Sequence, residues 1–364
     1  MLENGKIDAK QATLLMISMV LPTAILLVPA IVVKHARQDG WISLVLATLI
    51  GLLIARLVAS LSIRFPNKTL FEYAEEILGR APGKIVGLLY IWWLLHTNAL
   101  IIAEFASLPC IILMPETPFA VFFILGIAVS GYAVRNGLEV LSRYNQLIAP
   151  ISLGLVVLIF ILVTREMKVQ RLLPVLDNGL LPIVKGAATP ASWLGEIVIL
   201  SMIIPYLTEP KEAHKVAFLS VLLVGIFMTL TIVGTLLVFG PNVTAAWVFP
   251  VLNAVRAVLI ANFLERLESV VVSAWVFTGI AKIGVFYYAA VLGSAQWLGL
   301  KDYRPLVAPT GVILLGMAFL CSNIVDLLDF AARAFPPYAL IVFEAGIPLI
   351  LLALALIRGR GESS

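Results

Sequence analysis

Four polar residues stand where the surrounding apolar sequence gives them no local use. Glu196 follows Gly195 inside ASWLGEIVILSMIIPYLTEP, and Lys282 lies deep inside SAWVFTGIAKIGVFYYAAVLG. Glu104 interrupts ALIIAEFASL, and Thr23 follows Pro22 in MISMVLPTAILLVP. Carboxylates of this kind can hold a ligand ammonium, a hydroxyl beside freed amides can hold a ligand carboxylate, and a lysine is a built-in cation. These are recognition chemistries. No nucleophile–base–acid set, metal-ligand spacing or phosphate-binding loop accompanies them, so catalytic residues, metals and cofactors are not expected.

The medium around these groups follows from composition. The chain has 364 residues, of which 61% are hydrophobic and 13% charged, with a mean hydropathy of +1.06. A chain this apolar has lipid as its main solvent. The formal charge of +4 is modest, and no basic cluster interleaved with aromatics points to nucleic acid. Cys110 and Cys321 are isolated and read as free thiols. The first apolar run follows MLENGKIDAK without a cleavage motif and is too long for a signal peptide, so it reads as a retained span.

Apolar windows long enough to cross roughly 30 Å of hydrocarbon fall at 10–35, 40–63, 84–113, 118–134, 143–164, 187–208, 213–239, 263–293, 304–320 and 333–357. The fourth and ninth are short. An even number of spans puts both termini on one side. Lys and Arg are richer in the segments on the side of the termini (Lys6, Lys10, Arg64, Lys68, Arg80, Lys84 among them) than on the opposite side. That bias predicts cytoplasmic termini. The inside loop RFPNKTLFEYAEEILGRAPGK predicts a short amphipathic helix opened by Thr69 and closed by Gly79. The outer segment 172–190, rich in Pro and Gly, predicts a loop over the outer face.

Two spans carry interruptions near their centres. Pro22 removes an amide hydrogen and clashes with the carbonyl of Ser18, and Gly195-Glu196 interrupts the sixth span. Either one alone is also consistent with a simple packing kink. They are, however, the first members of two five-span halves, 10–164 and 187–357, within one transmembrane domain spanning 1–364. Interrupted helices at matching positions are the sequence pointer to a mid-membrane site in an inverted-repeat fold. The expected fold class is an all-α integral membrane protein of ten helices, a LeuT-like 5+5 inverted repeat with broken first and sixth helices.

PTAILLVP, FPNKTLFEYAEEILG, LLPVLDNGLLPIVKGA, the Gly195-Glu196 pair, FLERLESVVVSAWV and GLKDYRPLVAP together resemble the B subunit of bacterial spore germinant receptors. That family belongs to the amino acid–polyamine–organocation superfamily, and the resemblance runs nearly end to end. One departure marks this chain: Pro22-Thr23-Ala24-Ile25-Leu26 stands where the family usually has Gly-Thr-Ala-Ile-Leu. The resemblance implies a subunit in the spore inner membrane that binds a small nutrient germinant, an amino acid by class. It also implies an A subunit and a C-subunit lipoprotein as partners. The alternative is a proton- or ion-coupled amino-acid transporter of the same superfamily.

In this fold the first, third, sixth and eighth spans surround the substrate. The implied ligand-binding set is Thr23, Ala24, Ile25, Glu104, Gly195 and Glu196. Glu196 has a structural alternative, hydrogen bonding to amides freed at the break, and Glu104 has one in helix-to-helix pairing. His96 and Asn98 are weaker candidates. On the eighth span Glu268, Trp275 and Lys282 are spaced by seven and share a stripe. Glu268 and Lys282 stand roughly 21 Å apart along the axis and cannot pair. Glu265, Arg266 and Glu268 read as an outer-rim group. Lys282 lies about 6 Å inside the midplane, and helical side chains lean toward their own N-terminus, here outward. Sodium-coupled relatives of the fold place a cation between the first and eighth helices at this level. Lys282 is therefore expected to act as a tethered cation on the Ser18 carbonyl freed by Pro22, with an ion pair to a neighbouring helix as the alternative.

Overall fold

The computed structural model describes residues 2, 3, 5–257, 267–321 and 323–361. Its helices are α1 (Ala9–Ala36), α2 (Gly40–Ile63), α3 (Leu70–Leu78), α4 (Arg80–Ile112), α5 (Phe119–Arg135), α6 (Leu138–Leu162) and α7 (Leu180–Gly195). They continue as α8 (Ala213–Ala246), α9 (Pro250–Ala257), α10 (Leu267–Leu298), α11 (Val307–Leu320), α12 (Ile324–Arg333) and α13 (Ile347–Ile357). Within the described residues each expected apolar window falls mainly on helix; the start of the eighth, 263–266, lies outside them. Seven described stretches are long and apolar enough to cross a bilayer, and one of them, Ala9–Ile63, contains both α1 and α2. The short fourth and ninth windows are α5, with 17 residues, and α11, with 14.

Local chemistry sets the helix ends. Asp8 opens α1 with a capping box, its Oδ1 accepting the Gln11 amide at 2.7 Å while Gln11 Oε1 accepts the Asp8 amide at 2.9 Å. Thr69 and Glu72 do the same for α3, and Gly79 closes it with φ +92°. The exposed carbonyls at the end of α3 are taken by arginines from the far end of the chain, Arg358 on Ile77 O and Arg360 on Glu76 O, each at 2.5 Å. The amphipathic helix thus clamps onto both α10, through Thr69 and Gln296, and the C-terminal segment.

α1 is the centre of the molecule. It is buried over most of its length and packs against α6, α7, α8 and α10. α2, α5 and α6 instead turn large apolar side chains outward, with Leu53 69%, Leu147 65% and Ile161 59% exposed. A water-facing protein could not tolerate such a surface; a lipid-facing one requires it.

The two expected breaks take different forms. The sixth span changes at the predicted place, from α7 ending at Gly195 to a 3-10 stretch over Glu196–Met202. The first span differs from the expectation: α1 runs as one α-helix with Pro22 and Pro29 inside it. Each proline deletes one hydrogen bond, and the dense packing around a buried central helix holds the rest of the ladder in place. α7 also begins earlier than expected, at Leu180, within the segment read as loop. Pro182 sits in its first turn, where a missing amide hydrogen costs nothing. The tenth span opens with a π-helical stretch, Pro337–Gly346, before α13.

The N-terminal tail ties together three inter-helix connections. Ile7 forms a parallel bridge with Leu207. The buried Glu3 accepts hydrogen bonds from the Leu138 amide at 3.1 Å and the Tyr303 hydroxyl at 3.1 Å. The Leu138 amide is one of the unpaired donors at the start of α6, so Glu3 caps that helix from another part of the chain. Glu3→Ala is expected to lower unfolding stability in detergent by roughly 1.5–3 kcal/mol, the range for losing hydrogen bonds to a buried charge. An unchanged thermal midpoint in the variant would remove this tie from the account.

Candidate functional site

Lys282, on α10, donates to Glu196 Oε2 at 2.8 Å, and the two side chains are 0% and 1% exposed. Two charges this far from water are tolerable only because each is the other's solvent. The Lys282 ammonium also lies 5.8 Å from the centre of the Phe286 ring, a further contact that favours a cation. Of the two readings of Lys282, the structure shows the ion pair to a neighbouring helix: Lys282 sits on the Glu196 carboxylate and not on the Ser18 carbonyl. The cause is visible in α1, which stays helical through Pro22 and so does not turn an unwound Ser18 carbonyl toward α10.

Thr23, Glu104, Glu196 and Lys282 line one cavity of about 30 Å³, closed by Thr97, Trp193 and the aromatic side chains Phe330 and Phe335. Thr23 Oγ1 and Glu104 Oε1 are buried there, the Thr23 hydroxyl turned toward the Glu104 carboxyl, and neither atom has another hydrogen-bond partner among the described residues. The space suits a water or two; an amino acid needs the walls to part. The protein is closed around its polar cluster.

The remaining sequence-predicted residues lie elsewhere. Ser18, Pro22 and Ile25 line a separate apolar cavity of about 130 Å³ between α1, α6, α8 and α10, together with Trp275. Ala24 is fully buried and lines neither cavity. Trp275 lies between the two regions: its Nε1 donates to Pro22 O at 2.8 Å and its ring stacks on Phe105 at 4.1 Å. Trp275 and Lys282 thus serve the same face of α10, toward α1 and the sixth span. His96 belongs to an aromatic cluster, stacked on Trp92 and edge-on to Phe330 and Tyr338. Asn98 donates to Ile283 O at 3.3 Å, joining α4 to α10. Glu265 and Arg266 and the side chain of Glu268 lie outside the described residues.

Gly195 has a reason for being glycine. A Cβ at this position would come within 2.8 Å of the Glu344 carboxyl carbon. Glu344, in the π-helical stretch, is the residue that sequence reasoning missed. Its signal was a single acid in the apolar run ALIVFEAGIPLI, on a helix outside the four that the fold places around a substrate. Among the described residues no group of His, Cys, Asp and Glu is arranged to hold a metal ion.

Comparisons with known proteins agree with this architecture. The model of the family described as "Spore germination protein" matches residues 6–324. The chain belongs to that family. It is similar to spore germination protein KB of Bacillus subtilis (strain 168), 28% identical over 359 residues that cover 97% of this chain and 95% of the relative. It is similar as well to spore germination protein YndE of the same organism, 27% identical with 99% of each chain covered. Among solved structures, MhsT in complex with L-phenylalanine superposes with a TM-score of 0.74 at 13% identity, covering 98% of this chain and 90% of that one. The nucleobase-cation-symport-1 transporter Mhp1, closed with bromovinylhydantoin bound, gives 0.66 at 14% identity, covering 98% and 80%. The fold is that of the LeuT-like transporters, and the chain is a germinant-receptor membrane subunit of the B type.

The buried pair generates a test. Lys282→Met or Glu196→Gln alone leaves its partner uncompensated and is expected to cost roughly 3–5 kcal/mol, whereas the double substitution recovers most of that loss. Additive losses, measured by chemical or thermal unfolding in detergent, would mean the two side chains are not coupled.

Proposed function

We propose that this subunit binds a small amino acid at the break between α7 and the 3-10 stretch, and passes that event to receptor partners. The observation that carries the reading is the leftover acid. Lys282 is already occupied by Glu196, so Glu104 faces the same cavity with no cation of its own. An incoming ammonium group supplies that cation. The Thr23 hydroxyl faces the Glu104 carboxyl and has no other partner among the described residues; once an ammonium engages Glu104 it is released as a donor for the ligand carboxylate. Entry requires the break to open, and a 3-10 stretch with its poorer hydrogen bonds is the least costly place for that. The solved relative of the same fold that holds L-phenylalanine supports a solute of this class.

The partners in this reading are an A subunit and a C-subunit lipoprotein in the spore inner membrane, with both termini cytoplasmic. The distribution of Lys and Arg supports that orientation. Cysteine reporters at 75 and 358 should then react only from the cytoplasmic side and one at 178 only from outside; outside labelling at 75 inverts the topology.

Because Lys282 stands in the membrane as a fixed cation, binding should not need sodium. Thermal stabilisation of the purified protein by a panel of L-amino acids is the direct measurement. One or more should stabilise the parent equally with and without sodium. Glu104→Gln should weaken that response at least about tenfold, since a hydrogen bond to a charged group contributes about 1.5–3 kcal/mol. A Glu104→Gln protein that responds like the parent removes Glu104 from the site. Uptake of the stabilising amino acid by this chain alone in liposomes would favour transport over sensing.

A further inference from the structure

Glu344 is a charge-bearing residue without a visible counter-charge. It is 0% exposed, and neither of its carboxyl oxygens has a hydrogen-bond partner among the described residues. It lies against Gly195, so closely that a Cβ there would meet its carboxyl carbon at 2.8 Å. Its helix is π-helical over Pro337–Gly346, a distortion found frequently at functional sites. The carboxyl is thus set against the point where the sixth span changes from α to 3-10.

Charge accounting decides its state. Glu104, Glu196 and Glu344 are three fully buried carboxyls, and Lys282 is the buried ammonium beside them. Lys282 is committed to Glu196. The groups that face Glu344 from the elements around it are Glu196 on the 3-10 stretch, Lys282 on α10 and Tyr90 on α4; the Tyr90 hydroxyl donates to Phe343 O at 2.6 Å. α2 and α7 bring no titratable group to it among the described residues. An ionised Glu344 would be a bare charge in a dry interior, beside a second carboxylate, which is the costliest arrangement available to it. Glu104 can be neutralised by a ligand because it lines the cavity. Glu344 does not line it, and a proton is the cation that can occupy it with the break shut.

We propose that Glu344 is a proton-binding site: its carboxyl holds a proton while the break at Gly195-Glu196 is closed and releases it when the break opens. Opening admits water to the carboxyl; its O–H bond breaks, the proton passes to water as hydronium, and the carboxylate left behind is hydrated. Closing reverses the transfer. Protons therefore bind the closed state in preference to the open one, and acid favours closure. The proposal rests on the reading that this break is where the site opens.

Two measurements on the full chain in nanodiscs test it without any nutrient, so failure of the amino-acid reading cannot be mistaken for failure of this one. At neutral pH, in a Glu104→Gln background that removes the other buried acid lacking a cation, the infrared spectrum should contain a protonated-carboxyl C=O stretch that Glu344→Gln deletes and Glu344→Asp shifts. The same band in that background and both variants overturns the assignment. The second follows thiol labelling of Thr97→Cys, a buried cavity-lining position, in a background with Cys110 and Cys321 replaced by Ser. Thiolate formation alone speeds the reaction as pH rises, so the rate is read as a ratio to an exposed loop cysteine at the same pH; that ratio should rise with pH in the parent and stay low and flat when Glu344→Gln is added. A parental pH profile in that variant overturns the coupling to opening.

Discussion

The ion pair between Lys282 and Glu196 is the constraint around which the rest is arranged. Both side chains are buried, and separating the two charges would strand both in a medium that stabilises neither. α10 and the sixth span must therefore stay in register wherever the pair survives. Trp275, two turns before Lys282 on the same face, extends the register to α1 through the Pro22 carbonyl. One stripe on α10 thus locks the sixth span electrostatically and the first by a hydrogen bond.

The pair also allocates roles to what surrounds it. By engaging Lys282, Glu196 leaves Glu104 in the cavity as the acid that still lacks a cation, and leaves Glu344 behind the break as another. The backbone is arranged to match. α1 keeps its α-helical ladder through two prolines, whereas the sixth span gives up α geometry where Gly195 passes the Glu344 carboxyl. Motion is cheapest where the hydrogen bonds are already poor, so the α7 side of the site is the movable wall and α1 the fixed one. The 94% burial of the most apolar window in Ala9–Ile63 fits a fixed wall.

Much of this was legible in the residues. The apolar helices, the ends of α3 at Thr69 and Gly79, the break at Gly195-Glu196 and the shared face of Trp275 and Lys282 all follow from periodicity, end signals and spacing. The continuity of α1 was not legible, because a proline announces one lost hydrogen bond and says nothing of the packing that outweighs it. Pro182 and Pro190 misled in the same way. Ser18, Pro22 and Ile25 went astray for a different reason: depth along a helix is readable, but the side of the helix that faces a given neighbour depends on rotations that the sequence of one helix does not contain. Glu344 was visible as an acid in an apolar run, but it stands on a helix outside the four that surround a substrate in this fold, and nothing in its own segment indicates that it meets Gly195.

The partner of Lys282 shows how close a depth argument comes. Counting residues puts the Lys282 backbone about 6 Å toward the cytoplasm from the midplane. Its side chain leans toward its own N-terminus, outward, which returns the ammonium to the level of the midplane. Glu196 is placed within one or two residues of the centre of the sixth span by the same counting. The two charges therefore belong at one depth, and the cost of a buried charge makes their meeting the cheapest outcome for both. The lean that argued against snorkelling to the cytoplasm pointed at Glu196 all along. A cation from solution, a sodium ion or a proton, would have been needed to neutralise Glu196 if Lys282 had turned to α1; with the cation built into α10, the fold supplies it.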